Sequence, residues 1–318
     1  MPVLQSIKNG LRDNLPQEVF QTVRRLKRTV TGNGTLVERK HITLLEKMVR
    51  GLIRFILVER FPDVARPRDA RSEINKHEFK LYSQNGEDGI LLHIFNAIGV
   101  TNRTLVEFGI GDGRENNAAN LLLNFGWGGL LMDSSFDNCA SADLFYRTLI
   151  DNSDVKHIKV AQELVTKETI NALLEKYNVT GEIDLLSIDI DSNDYWVWDA
   201  ISSINPRVVV VEYNASFGAT QSVTMPNTDE FDRFEHHEKG YYHGVSVAAL
   251  VKLGEKKGYV FVGCDSSGCN TFFIRKDIAT QFTGVSSSQA YYPHARRLKK
   301  STEAEQIKIV GQYPVVTI

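Results

Sequence analysis

The 318-residue chain is 42% hydrophobic and 24% charged, which excludes wholesale disorder and collagen-like structure and allows a sizeable core. Its net charge of −2 hides a basic head, with 15 Lys/Arg against 7 Asp/Glu in residues 1–71, on an acidic body. Three cysteines, Cys139, Cys264 and Cys269, are too few for a disulfide framework and lack zinc spacing, so free thiols in a reducing compartment are expected.

In the head, Val19, Phe20, Val23 and Leu26 recur at helical spacing within an Arg-rich segment, which predicts a helix over 17–29. A second helix is expected over 42–60. Arg50, Arg54 and Glu59 break that apolar run short of the roughly 20 residues a membrane span needs. A cytoplasmic protein is therefore expected. The basic helices could touch the inner face of a membrane or another subunit, or simply pack on the body. Pro62 and Pro67 mark a boundary, and the expected regions are 1–72, 73–277 and 278–318.

From about residue 83 the rhythm becomes strand and helix in alternation. Strands are predicted at 104–109, 128–133, 155–160, 184–190 and 207–213, with helices at 86–98, 116–125, 166–177, 194–202 and 244–257. Runs at 259–264 and 270–275 read as a terminal antiparallel pair. The expected fold is α/β, a doubly wound, seven-stranded, mostly parallel sheet of the Rossmann-like kind, with an N-terminal helical extension. The alternating Ile307-Lys-Ile-Val310 suggests an extra strand near the end.

The first of these strands runs through Glu107 into Gly109, Gly111, Asp112 and Gly113, a turn that a nucleoside could approach closely. Its spacing is G-x-G-x-G rather than G-x-G-x-x-G, and Asp112 and Glu115 would repel a pyrophosphate. A cationic nucleoside, S-adenosylmethionine, suits an acidic turn. Asp133, ending the next strand, is placed to hold two ribose hydroxyls, with Asn116 and Ser134 counted beside it. The plain alternative is a tight turn, with Asp133 capping the helix after Ser134.

Tyr82-Ser-Gln-Asn-Gly-Glu-Asp88, Glu107–Gly113, Gly126-Trp-Gly-Gly-Leu-Leu-Met-Asp133, Leu186-Ser-Ile-Asp-Ile-Asp191 and Val211-Glu-Tyr-Asn214 occur in that order. With Tyr242-His-Gly-Val-Ser-Val-Ala-Ala-Leu250 and Gly268-Cys-Asn-Thr-Phe-Phe-Ile-Arg275, they make residues 79–277 resemble the FkbM-type class I methyltransferases. The resemblance implies O-methylation of a hydroxyl, most often on a sugar or glycan precursor. It also implies that Gln84 and Glu87 face the methionine end of the cofactor. Phe108-Gly-Ile110 and His243 depart from the family pattern, so acceptor preference does not carry over.

Residues two apart in a strand share a face, which brings Asp189 and Asp191 together, and likewise Glu212 and Asn214 on the next strand. Three readings follow. Asp191, Glu212 and Asn214 could hold Mg2+. Asp189 or Glu212 could act directly as general base. Or Asp191 and Asp194 could cap a helix. His243 is a further candidate base. The acceptor is then a small molecule or glycan. A non-catalytic scaffold and a protein or nucleic-acid methyltransferase are the alternatives, but Asn/Asp-Pro-Pro-Tyr is absent and the head is poor in aromatics.

Overall fold

The computed structural model describes residues 70–150, 157–228 and 231–318. The chain divides into two units, Met1–Arg54 and Phe55–Ile318, and the described residues belong to the second. The helices expected at 17–29 and 42–60 lie outside the described residues.

Five strands form the first part of the sheet: β1 (Thr104–Phe108), β2 (Gly128–Asp133), β3 (Ile158–Gln162), β4 (Gly181–Ile188) and β5 (Ile204–Glu212). Around them run α1 (Glu87–Ile98), α2 (Ala119–Phe125), α3 (Phe136–Leu149), α4 (Ile170–Lys176) and α5 (Asp194–Ala200). Beyond β5 come β6 (Val223–Thr224), α6 (Arg233–His236), α7 (Val247–Lys256), β7 (Tyr259–Cys264) and β8 (Asn270–Arg275). The chain continues through α8 (Ser287–Ala290), α9 (Glu303–Val310) and β9 (Val316–Thr317).

The seven-stranded sheet has the order β3-β2-β1-β4-β5-β8-β7. β1 to β5 pair in parallel, whereas β8 is antiparallel to both β5 and β7. This is the doubly wound, seven-stranded, mostly parallel Rossmann-like sheet that the sequence predicts. Strand order reverses between β1 and β4, and right-handed crossovers then carry successive helices to opposite faces. Central strands covered on both faces must be apolar throughout. Accordingly Leu185, Leu186 and Ile188 of β4 and Val208 to Val211 of β5 are fully buried.

At the reversal, the ends of β1 and β4 nearly touch. Gly109, at φ +72°, has no space for a side chain, because an added Cβ would lie 1.6 Å from the Asp189 carbonyl oxygen. Its glycine is thus required by a strand neighbour as well as by its backbone angle. Gly109→Ala is expected to lower the melting temperature by several degrees, the effect of roughly 1–3 kcal/mol of overpacking. An unchanged thermal melt would show that the two strand ends can separate freely.

The tail corrects one expectation. Residues 307–310 form the end of α9 rather than a strand, because Thr302 and Glu305 cap one another's backbone N–H groups at the helix start. Gln306 and Val310 are buried on its inner face. The tail packs with the sheet. Tyr291 and Tyr292 lie in the same core cluster as Val209 and Val211, and the Tyr213 hydroxyl donates to the Tyr292 carbonyl at 2.7 Å. Cys139, Cys264 and Cys269 are free and buried. Among the described residues no helix is long and apolar enough to cross a membrane.

Candidate active site

Ligands of open α/β sheets bind outside the carboxyl ends of the strands where the order reverses. A cleft of about 160 Å³ lies there, with Gly109 after β1, Asp189 after β4 and Glu212 at the end of β5 on its wall. Gln84, Glu107, Asn116 and Asp191 also line it, as sequence reasoning expected. Cys269, Asn270, His294 and Arg296 line it too, and were not anticipated.

The glycine turn is held by the protein's own carboxylates. Glu107 accepts from the N–H groups of Asn117 and Ala118, each at 2.9 Å, and from Ser187 Oγ at 3.0 Å. Burial raises its carboxyl to about pH 7 against the pull of these donors. Asp133 Oδ2 accepts from Gly111 N at 2.9 Å, while Oδ1 takes Ser135 N and Asn138 Nδ2. Asp133 thus ties the glycine turn to the start of α3, whose N-cap is Ser135, and is itself half-buried. Ser134 beside it is exposed.

These bonds replace the charge argument made from sequence. Asp112 is exposed and paired with Arg114, and Glu115 is paired with Lys80 at 3.1 Å, so their charges are largely spent. What disfavours a pyrophosphate is donor occupancy. The N–H groups of Gly111, Gly113, Arg114, Asn117 and Ala118 are already bonded to Asp133, Ile110, Asp112 and Glu107. Glu87 is also corrected: it is buried behind the cleft, accepting from Asn85 N at 2.8 Å and Asn270 Nδ2 at 2.9 Å.

Beside the turn, Asp189 and Glu212 are half-buried and both line the cleft. Burial, then the neighbouring carboxylates Asp191 and Asp194, push Asp189 well above the ordinary carboxylate range. Burial and the charges of Asp189, Asp191 and Asp194 do the same to Glu212. Such crowding of carboxyls favours keeping a proton on one of them. β4 ends at Ile188 and Asp191 sits at φ +58°, so alternation is not what brings Asp191 here. A left-handed turn does, held by Asp194, which accepts from Ile190 N and Ser192 N. Asp191 itself pairs with Arg233 and caps no helix.

Asn214 does not join the carboxylates. Its Nδ2 donates to the carbonyls of Tyr241 and His243 at 2.7 and 2.8 Å, and its Oδ1 accepts from Ser216 N and Arg297 Nη1. All its polar capacity goes into fixing the loop after β5. Its place beside Asp191 and Glu212 is taken by His243, whose Nδ1 lies 3.9 Å from a carboxylate oxygen of each. The three ligand atoms lie within 4.8 Å of one another, a spacing that could enclose an ion.

The donor chemistry does not fit Mg2+. Arg297 Nη2 contacts His243 Nε2 at 2.5 Å, and a guanidinium only donates, so the proton of the neutral imidazole is on Nδ1. That leaves no lone pair facing the carboxylates. Arg233 already neutralises Asp191, and a small hard cation wants an oxygen-rich octahedron. The same tautomer removes His243 as a base. Burial and the Arg297, Arg233 and His294 charges hold its pKa well below the ordinary imidazole value, so the ring stays neutral.

Arg297 escaped sequence reasoning because His294-Ala-Arg-Arg-Leu-Lys-Lys300 looks like a solvated basic tail. The usable signal was Tyr291-Tyr-Pro293 just before it, an aromatic anchor that docks the segment in the core.

No family model matches the chain, and no curated protein matches it. Solved structures similar to it include the methyltransferase domain of bacterial-CtHen1-C, 14% identical over 59% of this chain and 97% of that one, TM-score 0.40. The N-terminal domain of EvdMO1 with SAH bound is 13% identical over 61% and 81%, TM-score 0.38. A SAM-dependent methyltransferase from Aquifex aeolicus is 9% identical over 58% and 88%, TM-score 0.33.

Proposed function

We propose that the chain is an S-adenosylmethionine-dependent O-methyltransferase acting on a hydroxyl of a small molecule, with a sugar or glycan precursor as the acceptor class. The observation that carries this reading is a glycine turn whose N–H groups are largely committed to carboxylates, with the Asp189 and Glu212 carboxyls beside it on the same cleft. The turn suits a nucleoside without a pyrophosphate. The dyad suits removal of a proton.

The residues fit the cofactor. Gly111 has φ +53° and open space where a Cβ would point, so a ligand can lie against its backbone. Asp133 would hold the ribose hydroxyls, while Gln84, Asn116 and Asp189 would hold the amino-acid end. When bound, S-adenosylmethionine supplies a methyl group made electrophilic by its positive sulfur. The chain's own task is to align an acceptor oxygen and take its proton. Glu212 and Asp189 take it, the ionised member of the pair acting as general base. The resemblance to FkbM-type enzymes supports transfer to a hydroxyl.

A non-catalytic scaffold is the weaker reading. Several carboxyls crowded on one cleft are costly to keep, and a scaffold has no use for them.

Calorimetry with S-adenosylmethionine and with NAD+, followed by a labelled-methyl screen against nucleotide sugars and lipid-linked glycans, tests the proposal. Saturable binding of S-adenosylmethionine alone and label in a saccharide are expected. Binding of NAD+ in its place, or label in protein or RNA alone, would overturn it.

A further inference from the structure

His243 is fully buried, yet its Nδ1 has no hydrogen-bond partner among the described residues. Arg297 fixes the tautomer that places a proton on that atom. The bare N–H faces Asp191 Oδ1 and Glu212 Oε2, each 3.9 Å away, too far for a hydrogen bond and close enough for one intervening atom. The three atoms form a triangle with no side above 4.8 Å. An oxygen just above its plane would lie about 2.8 Å from every corner, an ordinary hydrogen-bond distance. It would accept from Nδ1–H and donate its own proton to a carboxylate. Asp191 and Glu212 line the cleft of the proposed methyl-transfer site, and the fully buried His243 adjoins it through these two carboxylates.

Building on the methyltransferase reading, we propose that this triangle seats the acceptor's hydroxyl oxygen and that His243 Nδ1–H selects oxygen over nitrogen acceptors. The selection follows from lone pairs. A hydroxyl oxygen has two, one to attack the methyl carbon and one to accept from His243. A neutral amine has one, which attack consumes, so it would leave the buried N–H bare during the reaction. As the O–CH3 bond forms, the CH3–S bond breaks with its electron pair going to sulfur, and the hydroxyl proton passes to the Glu212 and Asp189 pair. His243 keeps its proton throughout and steadies the charge growing on the attacking oxygen. Arg297 is a positioning residue that acts through the imidazole. It also explains why a tail segment 54 residues downstream is buried against His243.

The tautomer can be read without cofactor or acceptor. In the 15N-imidazole spectrum of the full chain, with His243→Asn identifying the resonance, the Nδ1–H form is expected and added Mg2+ should not move it. An Nε2–H form, or a Mg2+-dependent shift of Nδ1, would overturn the proposal. A second measurement uses labelled methyl transfer to methyl glycosides and to their amino-sugar counterparts. The wild type is expected to favour the hydroxyl acceptors. His243→Leu should lower that transfer by about 10- to 100-fold with unchanged cofactor affinity, and His243→Asn, whose amide N–H overlays Nδ1, should restore most of it. Equal loss in both variants would overturn the donor role. Failure to bind S-adenosylmethionine would sink the methyltransferase reading while leaving the tautomer result standing.

Discussion

Glu212→Gln is expected to cut methyl transfer by about 10²- to 10⁴-fold, the usual loss when a general base is removed, while S-adenosylmethionine still binds. The amide keeps the shape but accepts no proton. Steady-state rates against calorimetric affinity separate the two effects, and a variant with full activity would remove the dyad from the chemistry. The pH dependence follows from the same pair. Burial and the neighbouring carboxylates raise both carboxyls, so activity should rise with pH as the doubly protonated pair gives up its first proton and leaves an ionised member to act as base, above the ordinary carboxylate range of about 4. Stability runs the other way. A carboxyl whose folded pKa is raised binds its proton more tightly when folded, so its favourable contribution is complete below about pH 4 and is lost as pH climbs through the folded value. Melting without ligand should therefore fall over the window in which activity climbs.

Asp133→Ala is expected to weaken S-adenosylmethionine binding by about 10- to 100-fold, the loss of one or two charge-assisted hydrogen bonds. Part of that loss comes from ribose contact and part from the turn, since Gly111 N loses its acceptor. Asp133→Asn separates them, because its amide oxygen can still accept from Gly111 while the charge is gone. Calorimetry on both variants checks this, and wild-type affinity in the alanine variant would place the nucleoside elsewhere.

Much of the sheet was legible because its strands are short apolar runs between turn residues. β2 and the β7–β8 pair fall where the pattern puts them, and β4 ends two residues before the expected 190 because Asp189 already leaves the ladder. Helix α2 starts at Ala119 rather than 116, since Glu107 holds the N–H groups of Asn117 and Ala118 in a loop. Alternation in Ile307-Lys-Ile-Val310 mimicked a strand, although the Thr302 to Glu305 capping spacing was present in the sequence. Asp189, Asp191 and Glu212 were found through chemistry and strand ends. Asn214 was misplaced because pairing by alternation stops where β5 stops. Arg297 was missed because a long-range contact has no local pattern.

That long-range contact sets an order of assembly. Chains are made from the N-terminus, and Arg297 lies 83 residues after Asn214. The glycine turn and β1 to β5 can thus be present on a growing chain while the imidazole of His243 still faces water, free to titrate and to exchange its protons. Arrival of the tail closes the acceptor corner and fixes one tautomer in the same event.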